Sequence, residues 1–221
     1  MNIVILGHTG SIGKYIYNEF VKLGYNVQGY STSEFNASDE KQVLQLSKNI
    51  AKQESLDAFI NCIGVVDFKN FKELESFNYL LNVNLKAAFC LSLAAADNMA
   101  LGSGGSIVNL GSIASNRIRS GRIGYTTTKT ALEGMTRSIA FEYAKNKITV
   151  NCVAPGPTQT QLLFDTLERN EIDRLTQKIP LGRLTYPDDI FETVHFLITK
   201  NKFITGQTII VDGGLSIKSG F

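Results

Sequence analysis

Six short runs rich in apolar and β-branched residues, Asn2–Leu6, Val27–Tyr30, Ala58–Ile63, Ser106–Leu110, Ile148–Val153 and Thr208–Val211, are mostly separated by longer segments with helical spacing. In the first such segment Ile12, Ile16, Phe20 and Leu23 fall on one face behind Ser11. A helix between two strands carries the chain back across the sheet, so the next strand runs parallel to the last. Such sheets are covered on both faces, and continuously apolar strands suit them. The expected architecture is an α/β fold, a doubly wound parallel sheet in three layers, with its ligand site at the carboxyl ends of the strands. No repeat, no Pro- or Ser-rich linker and no compositional break divides the 221 residues, so a single domain is expected.

One connection is short. If Phe35–Ala37 is a strand, only Ser31–Glu34 separate it from the run ending at Tyr30, whereas a parallel crossover with its helix needs at least about 10 to 12 residues. Either an edge strand here is rudimentary, or the segment is a loop leading into a helix that starts near Ser38. Lys and Arg total 22 against 20 Asp and Glu, a net charge of +2, which excludes the strongly basic surface that nucleic-acid binding needs. Cys62, Cys90 and Cys152 lack metal-ligand spacing and read as buried, reduced thiols. Met1–Gly7 has no basic leader, and Leu85–Ala96 is interrupted by Lys86 and Ser92, so neither a secretory signal nor a membrane span is expected. The expected location is cytoplasmic.

The first run leads into Gly7-His8-Thr9-Gly10-Ser11-Ile12-Gly13, just ahead of the amphipathic helix. Glycines permit a tight turn and let backbone N–H groups approach a pyrophosphate at the helix N-terminus. Alone, such a turn can equally be a close-packed corner. His8 reads as a loop residue near phosphates, since only His195 accompanies it. Ser31 follows the last glycine by eighteen residues, where NAD sites usually place an acid against the ribose 2′-hydroxyl. Tyr30-Ser31-Thr32-Ser33 contains no carboxylate. Ser31 and Thr32 leave room and donors for a 2′-phosphate, so NADP(H) is favoured, with NAD(H) as the alternative cofactor; turn chemistry also explains these residues.

Tyr125-Thr126-Thr127-Thr128-Lys129 sets a phenol and an ammonium four residues apart, on one face of a helix. A phenol of reference pKa about 10 is a poor base at neutral pH, and a neighbouring cation favours its ionised form. Ser112 precedes Tyr125 by thirteen residues, and Asn84 stands in Val83-Asn84-Leu85. Together with the glycine turn, Asn61-Cys62-Ile63-Gly64, the Asn151–Thr160 segment with its Pro155-Gly156, Leu181-Gly182-Arg183 and Val211-Asp212-Gly213-Gly214, this order resembles the short-chain dehydrogenase/reductase family from Asn2 to Gly214. The resemblance implies a Rossmann-type fold and a carbonyl–alcohol oxidoreductase without a metal.

It implies roles as well. Tyr125 is the general acid in reduction and the base in oxidation, Ser112 polarises the carbonyl oxygen, Lys129 binds nicotinamide ribose and tunes Tyr125, and Asn84 holds a relay water. Gly7, Thr9, Gly10, Ser11, Ile12 and Gly13 receive the pyrophosphate; Ser31, Thr32 and Asn36 meet the adenosine end; Asn61, Gly64, Pro155, Gly156, Thr158 and Thr160 line the nicotinamide end. Two departures stand out. Ser11 replaces a family glycine, giving a spacing closer to sugar-nucleotide-modifying relatives, and Asn36-Ala37 replaces a common Asp-Val. A sugar-nucleotide epimerase or dehydratase with tightly held NAD, and a non-enzymatic dinucleotide sensor, are the rivals. The substrate is a small carbonyl or alcohol. Arg117, Arg119 and Arg122 at the rim point to an anionic one, against the alternative of a solvated loop. A helix over 160–178 with Leu162, Leu163, Phe164 and Leu167 reads as an apolar lid or as core. The apolar segments Leu85–Ala96 and Leu132–Ile139, with the resemblance, imply a homo-oligomer, a tetramer or dimer.

Overall fold

The computed structural model describes residues 1–67 and 72–217. Among them six strands form one parallel sheet in the order β2-β1-β3-β4-β5-β6: β1 (Asn2–Leu6), β2 (Asn26–Tyr30), β3 (Ala58–Asn61), β4 (Gly105–Leu110), β5 (Ile148–Pro155) and β6 (Thr208–Val211). Every strand expected from the sequence is present. The inner strands β1, β3, β4 and β5 are almost wholly buried, while β2, at the edge, alternates between exposed and half-buried residues.

Between the strands run α1 (Ser11–Lys22), α2 (Glu40–Ala51), α3 (Leu74–Leu81), α4 (Ala87–Leu101), α5 (Ile123–Glu142), α6 (Gln161–Thr166), α7 (Arg169–Gln177) and α8 (Pro187–Thr199). One face of the sheet packs Val4, Phe59, Ile107 and Val150 against Leu46, Leu91 and Ile139 of α2, α4 and α5. The other packs Ile3, Ile5, Ile60 and Val108 against Ile16, Phe20, Val194 and Leu197 of α1 and α8. These are the three layers expected of a parallel sheet that must hide both faces.

Of the two readings of Ser31–Ala37, the structure has the loop. Phe35 turns inward to the core at 5% exposure, and Asp39 caps α2 by accepting from the N–H groups of Lys41 and Gln42. The expected helix over 160–178 is instead two. Leu167 is extended, and Glu168 restarts the chain with a capping box completed by Glu171. Leu163, Leu167 and Ile172 pack on a small satellite core of Ile113, Leu175, Ile179, Leu184 and Leu215, while Leu162 and Phe164 remain exposed. Lid and core are therefore both represented. Cys152 is buried, but Cys62 and Cys90 are half-buried, and all three are free.

The chain from Leu74 to Leu101 is continuously helical through a π turn at Asn82–Lys86, and is apolar and long enough to span a membrane by composition. It was not apparent from Leu85–Ala96 alone. Leu91, Ala94, Ala95 and Met99 of this helix belong to the sheet-covering core.

Candidate active site

The site lies where the carboxyl ends of β1, β3, β4 and β5 meet. At the end of β1, Gly7 adopts φ +73°, and a Cβ at Gly13 would stand 2.2 Å from the Gly7 carbonyl oxygen. No other residue fits at Gly13, because the turn folds directly onto the first turn of α1. A Cβ at Gly10 would meet only the Gly7 oxygen at 3.5 Å, so its outward side is open. The first N–H groups of a helix have no partner within it, and those of α1 border this opening beside exposed Thr9, Gly10 and Ser11 and half-buried Ile12. A pyrophosphate fits this turn and its dipole.

Tyr125 and Lys129 sit one turn apart near the start of α5, which Gly124 lets approach α3: a Cβ there would lie 2.9 Å from Leu80. Lys129 is 3% exposed and donates from Nζ to the Leu110 carbonyl at the end of β4, 2.8 Å away, with Nζ 5.9 Å from the Tyr125 ring centre. Asn84, in the π turn, spends its amide on the chain after β3. Oδ1 accepts from Val65 N at 2.8 Å, and Nδ2 donates to Val65 O at 2.9 Å and Thr128 Oγ1 at 3.2 Å. Local π geometry often marks functional positions. A Cβ added to Gly64 would lie 3.1 Å from Lys129 Nζ and 3.9 Å from Asn84 Oδ1, so the glycine lets the chain after β3 lie close against the ammonium.

Ser112 caps the short turn Ile113–Ser115, its Oγ accepting from Ala114 N at 3.1 Å. Ser112 and Tyr125 line one cleft of about 210 Å³ with Ile12, Pro155, Gly156, Thr158 and Thr160. Leu162, Leu163, Leu167 and Leu175 close its apolar side, and Arg117, Arg119 and Arg122 stand on its rim. Burial first, and then the charge of Arg117, pushes the Arg119 pKa down; burial and then Arg119 do the same to Arg122, which Tyr125 partly opposes. Cations have thus been gathered where they disfavour one another. Arg117 also donates to the Leu215 carbonyl.

Other expected site residues lie deeper or have structural duties. Asn61, 1% exposed, donates to Asn109 Oδ1 at 3.3 Å and accepts from Ile63 N at 3.1 Å, bending the chain at the end of β3. Thr160 caps α6 through Leu163 N, and Thr158 donates to the Gly156 carbonyl at 3.0 Å. Asn36 holds Ser38, and Thr32 is exposed. Ser31 is buried, and its surroundings hold a residue the sequence reading missed. The Glu34 carboxylate folds back to accept from Ser31 N at 2.6 Å, Ser31 Oγ at 2.9 Å and Ser33 Oγ at 2.7 Å. These bonds hold Glu34 down at about pKa 2, the Ser33 hydroxyl contributing most. Glu34 follows Gly13 by twenty-one residues, close to the usual spacing of about 20 for an acid at this strand end.

A helix N-terminus open to phosphate on one strand, with a phenol, an ammonium and a hydroxyl gathered on the neighbouring strand ends, provides what hydride exchange between a dinucleotide and a carbonyl requires. The fold and site define an NAD(P)-dependent oxidoreductase. Residues 11–216 match the family model described as enoyl-(acyl carrier protein) reductase. A 3-oxoacyl-[acyl-carrier-protein] reductase, FabG, from Rickettsia bellii is 32% identical over 237 residues, covering 96% of this chain and 95% of that protein. The solved structure of ElxO with NADP bound shares 28% identity and superposes with a TM-score of 0.87, over 98% of this chain and 99% of that one. A gluconate 5-dehydrogenase-like structure from Beutenbergia cavernae, at 24% identity and TM-score 0.93 over 98% and 97% of the two chains, shows the same fold. The chain belongs to the short-chain dehydrogenase/reductase family. These relatives do not favour the epimerase or sensor readings.

Proposed function

We propose that the 221 residues act as one domain that uses NADP(H) to interconvert a small carbonyl compound and its secondary alcohol. The observation that carries this reading is the shared cleft of Ser112 and Tyr125 with Lys129 buried beside it. The dinucleotide, when bound, supplies or takes the hydride. The Ser112 hydroxyl donates to the carbonyl oxygen and fixes its position, and the Tyr125 hydroxyl delivers the proton to that oxygen in reduction and removes it in oxidation. Lys129 keeps two N–H donors beyond the one spent on Leu110, available to ribose hydroxyls and to a water. A water shared by Lys129 Nζ and the unused lone pair of Asn84 Oδ1 passes protons onward. Thr158 and Thr160 orient the nicotinamide amide.

NADP bound in ElxO supports the choice of NADP(H). For the substrate, the three arginines lining the cleft favour an anionic group and its leucines favour an apolar body. The acyl-carrier names of the relatives put 3-oxoacyl thioesters first among candidates. The protein works in the cytoplasm, independently of nucleic acid and membrane, as a homo-oligomer. The decisive experiment is a screen of 3-oxoacyl thioesters, keto acids and keto-sugars followed by NADPH absorbance. Stoichiometric NADPH loss with one class supports the reading; no consumption with any class counts against it.

A further inference from the structure

Ser112 and Tyr125 have to reach one carbonyl oxygen, yet they stand on separate elements, the chain after β4 and the helix α5. Side-chain bonds join those elements on either side of Ser112. Upstream, Lys129 Nζ donates to the Leu110 carbonyl at 2.8 Å, and Gly111 N donates to Val153 O of β5 at 2.7 Å. Downstream, the turn Ile113–Ser115 meets α5 again through Ser115. Its hydroxyl donates to Glu133 Oε1, and its carbonyl accepts from Thr130 Oγ1 at 3.5 Å, the outer limit of such a bond. Tyr125, Lys129 and Glu133 follow one another at intervals of four along α5, so one face of the helix carries the phenol and both fastenings. Glu133 is 8% exposed and has no ion pair among the described residues. Eight residues of helix rise by about 12 Å, so Glu133 acts on the Tyr125 end of the site only through what it holds.

We propose that Glu133 is a positioning residue for Ser112: through Ser115 it fastens the far side of the Ser112 turn to α5, and so sets the separation of the Ser112 and Tyr125 hydroxyls. The inference rests on the function proposed above. Ser115 Oγ has two acceptors in reach, Glu133 Oε1 and, at 2.9 Å, the Ser112 carbonyl, but a hydroxyl has one hydrogen to give. The Ser112 carbonyl already accepts from Ser115 N at 3.2 Å, and a charged acceptor makes the stronger bond, so the hydrogen goes to Glu133. Without that acceptor the hydroxyl falls back on the Ser112 carbonyl. It stays satisfied, but its bonds are then local to the turn, whose place against α5 rests on the long Thr130 bond and on the packing of Ile113 in the satellite core. The loss therefore falls on placement more than on stability. Ser112 Oγ accepts from Ala114 N at 3.1 Å, which leaves its own hydrogen for the cleft, and a shift of the turn carries that donor with it.

The test follows NADPH consumption with acetoacetyl-CoA as the probe, in the full chain and its Glu133→Leu, Glu133→Gln and Ser112→Ala variants, alongside amide hydrogen exchange over residues 111–117. The expected result in Glu133→Leu is a fall in kcat of about tenfold or more, the scale on which slight misplacement of a reacting group is felt. NADPH affinity and melting temperature stay near the parent's, and exchange in the turn quickens. Glu133→Gln keeps an acceptor for Ser115 without the charge, and holds kcat within a few-fold of the parent. In the Ser112→Ala background Glu133→Leu costs nothing further, because its effect passes through the Ser112 hydroxyl. If Glu133→Leu does not fold, Ser115→Ala removes the same bond from its other end and carries the comparison. An unchanged kcat, a loss in Glu133→Gln as large as in Glu133→Leu, or an undiminished loss in the Ser112→Ala background overturns the role of Glu133 while leaving the proposed function intact. Failure of the unaltered protein to consume NADPH with this probe and with every class in the screen overturns both.

Discussion

At the scale of single residues the chemistry depends on very few atoms. Tyr125→Phe removes the transferable proton but no contact expected with the cofactor, so turnover should fall by about 10² or more with NADPH affinity nearly unchanged. Rate assays beside calorimetry check this, and turnover within a few-fold of the parent would rule the mechanism out. Gly64→Ala should also slow turnover, because a Cβ 3.1 Å from Lys129 Nζ pushes on the ammonium that serves Tyr125; an unchanged rate would show that Lys129 tolerates the displacement. Arg119→Ala should raise KM for an anionic substrate, more at low salt than at high, and leave a neutral analogue little affected. Glu34 carries a pH statement. Its pKa is lowered from 4.5 to about 2, so its hold on Ser31 is complete above the unfolded value and is lost as pH falls through about 2. The stability that Glu34 contributes should therefore be constant from about pH 6 to 9 and fall only in acid, which thermal melts of the parent and of Glu34→Gln across that range check. Tyr125, Lys129 and Ser112 could be read from the sequence because their chemistry is carried by spacing along the chain. The bonds that Asn61 and Asn84 make with the chain after β3 could not, because they are set by what each side chain bends towards in space.

At the scale of elements, the alternation of strands and helices exposed the whole sheet, since burial on two faces leaves its mark in every inner strand. Helix ends were less legible. The apolar positions 162, 163, 167 and 175 suit one long helix, yet the local capping of Glu168 by Glu171 wins and divides the segment into α6 and α7. The signal, an acid at the start of a turn and another three residues on, was present but was outweighed by the leucine pattern. Thr160 both caps α6 and lines the cleft. Thr160→Val should therefore fray α6, by the roughly 0.5 to 2 kcal/mol a lost cap costs, and raise KM more than it lowers kcat. Faster hydrogen exchange over residues 161–166 would accompany that change; unchanged exchange would show the cap to be dispensable.

At the scale of the whole molecule, the apolar segments on α4 and α5 divide in two. Leu91, Ala95, Leu132 and Ile139 are buried against the sheet or neighbouring helices. Leu85, Phe89 and Met135 instead line an outer groove shared with Leu44 of α2, and Phe89 is 49% exposed. Light scattering at micromolar concentration should give a multiple of 24.3 kDa, and Phe89→Asp should shift it towards the single-chain mass. A monomeric parent would remove the oligomer from the proposal. Sequence could not separate the two sets, because a residue facing the sheet and one facing outwards across a groove are equally apolar.

The segment that covers the cleft leaves and rejoins the sheet at one place. Thr158 pairs with Thr185 as a parallel bridge, with Thr185 N donating to Pro157 O at 3.0 Å and Gln159 N donating to Thr185 O at 2.8 Å. Whatever lies between residues 160 and 184 is thus an excursion whose two ends are already joined, with its own satellite core beneath it. Loop closure charges little for extra length once the ends are fixed. The excursion can be lengthened, shortened or exchanged as a cassette while the turn at Gly7 and the pair Tyr125 and Lys129 stay where they are, so the range of molecules admitted can drift without disturbing the chemistry performed on them.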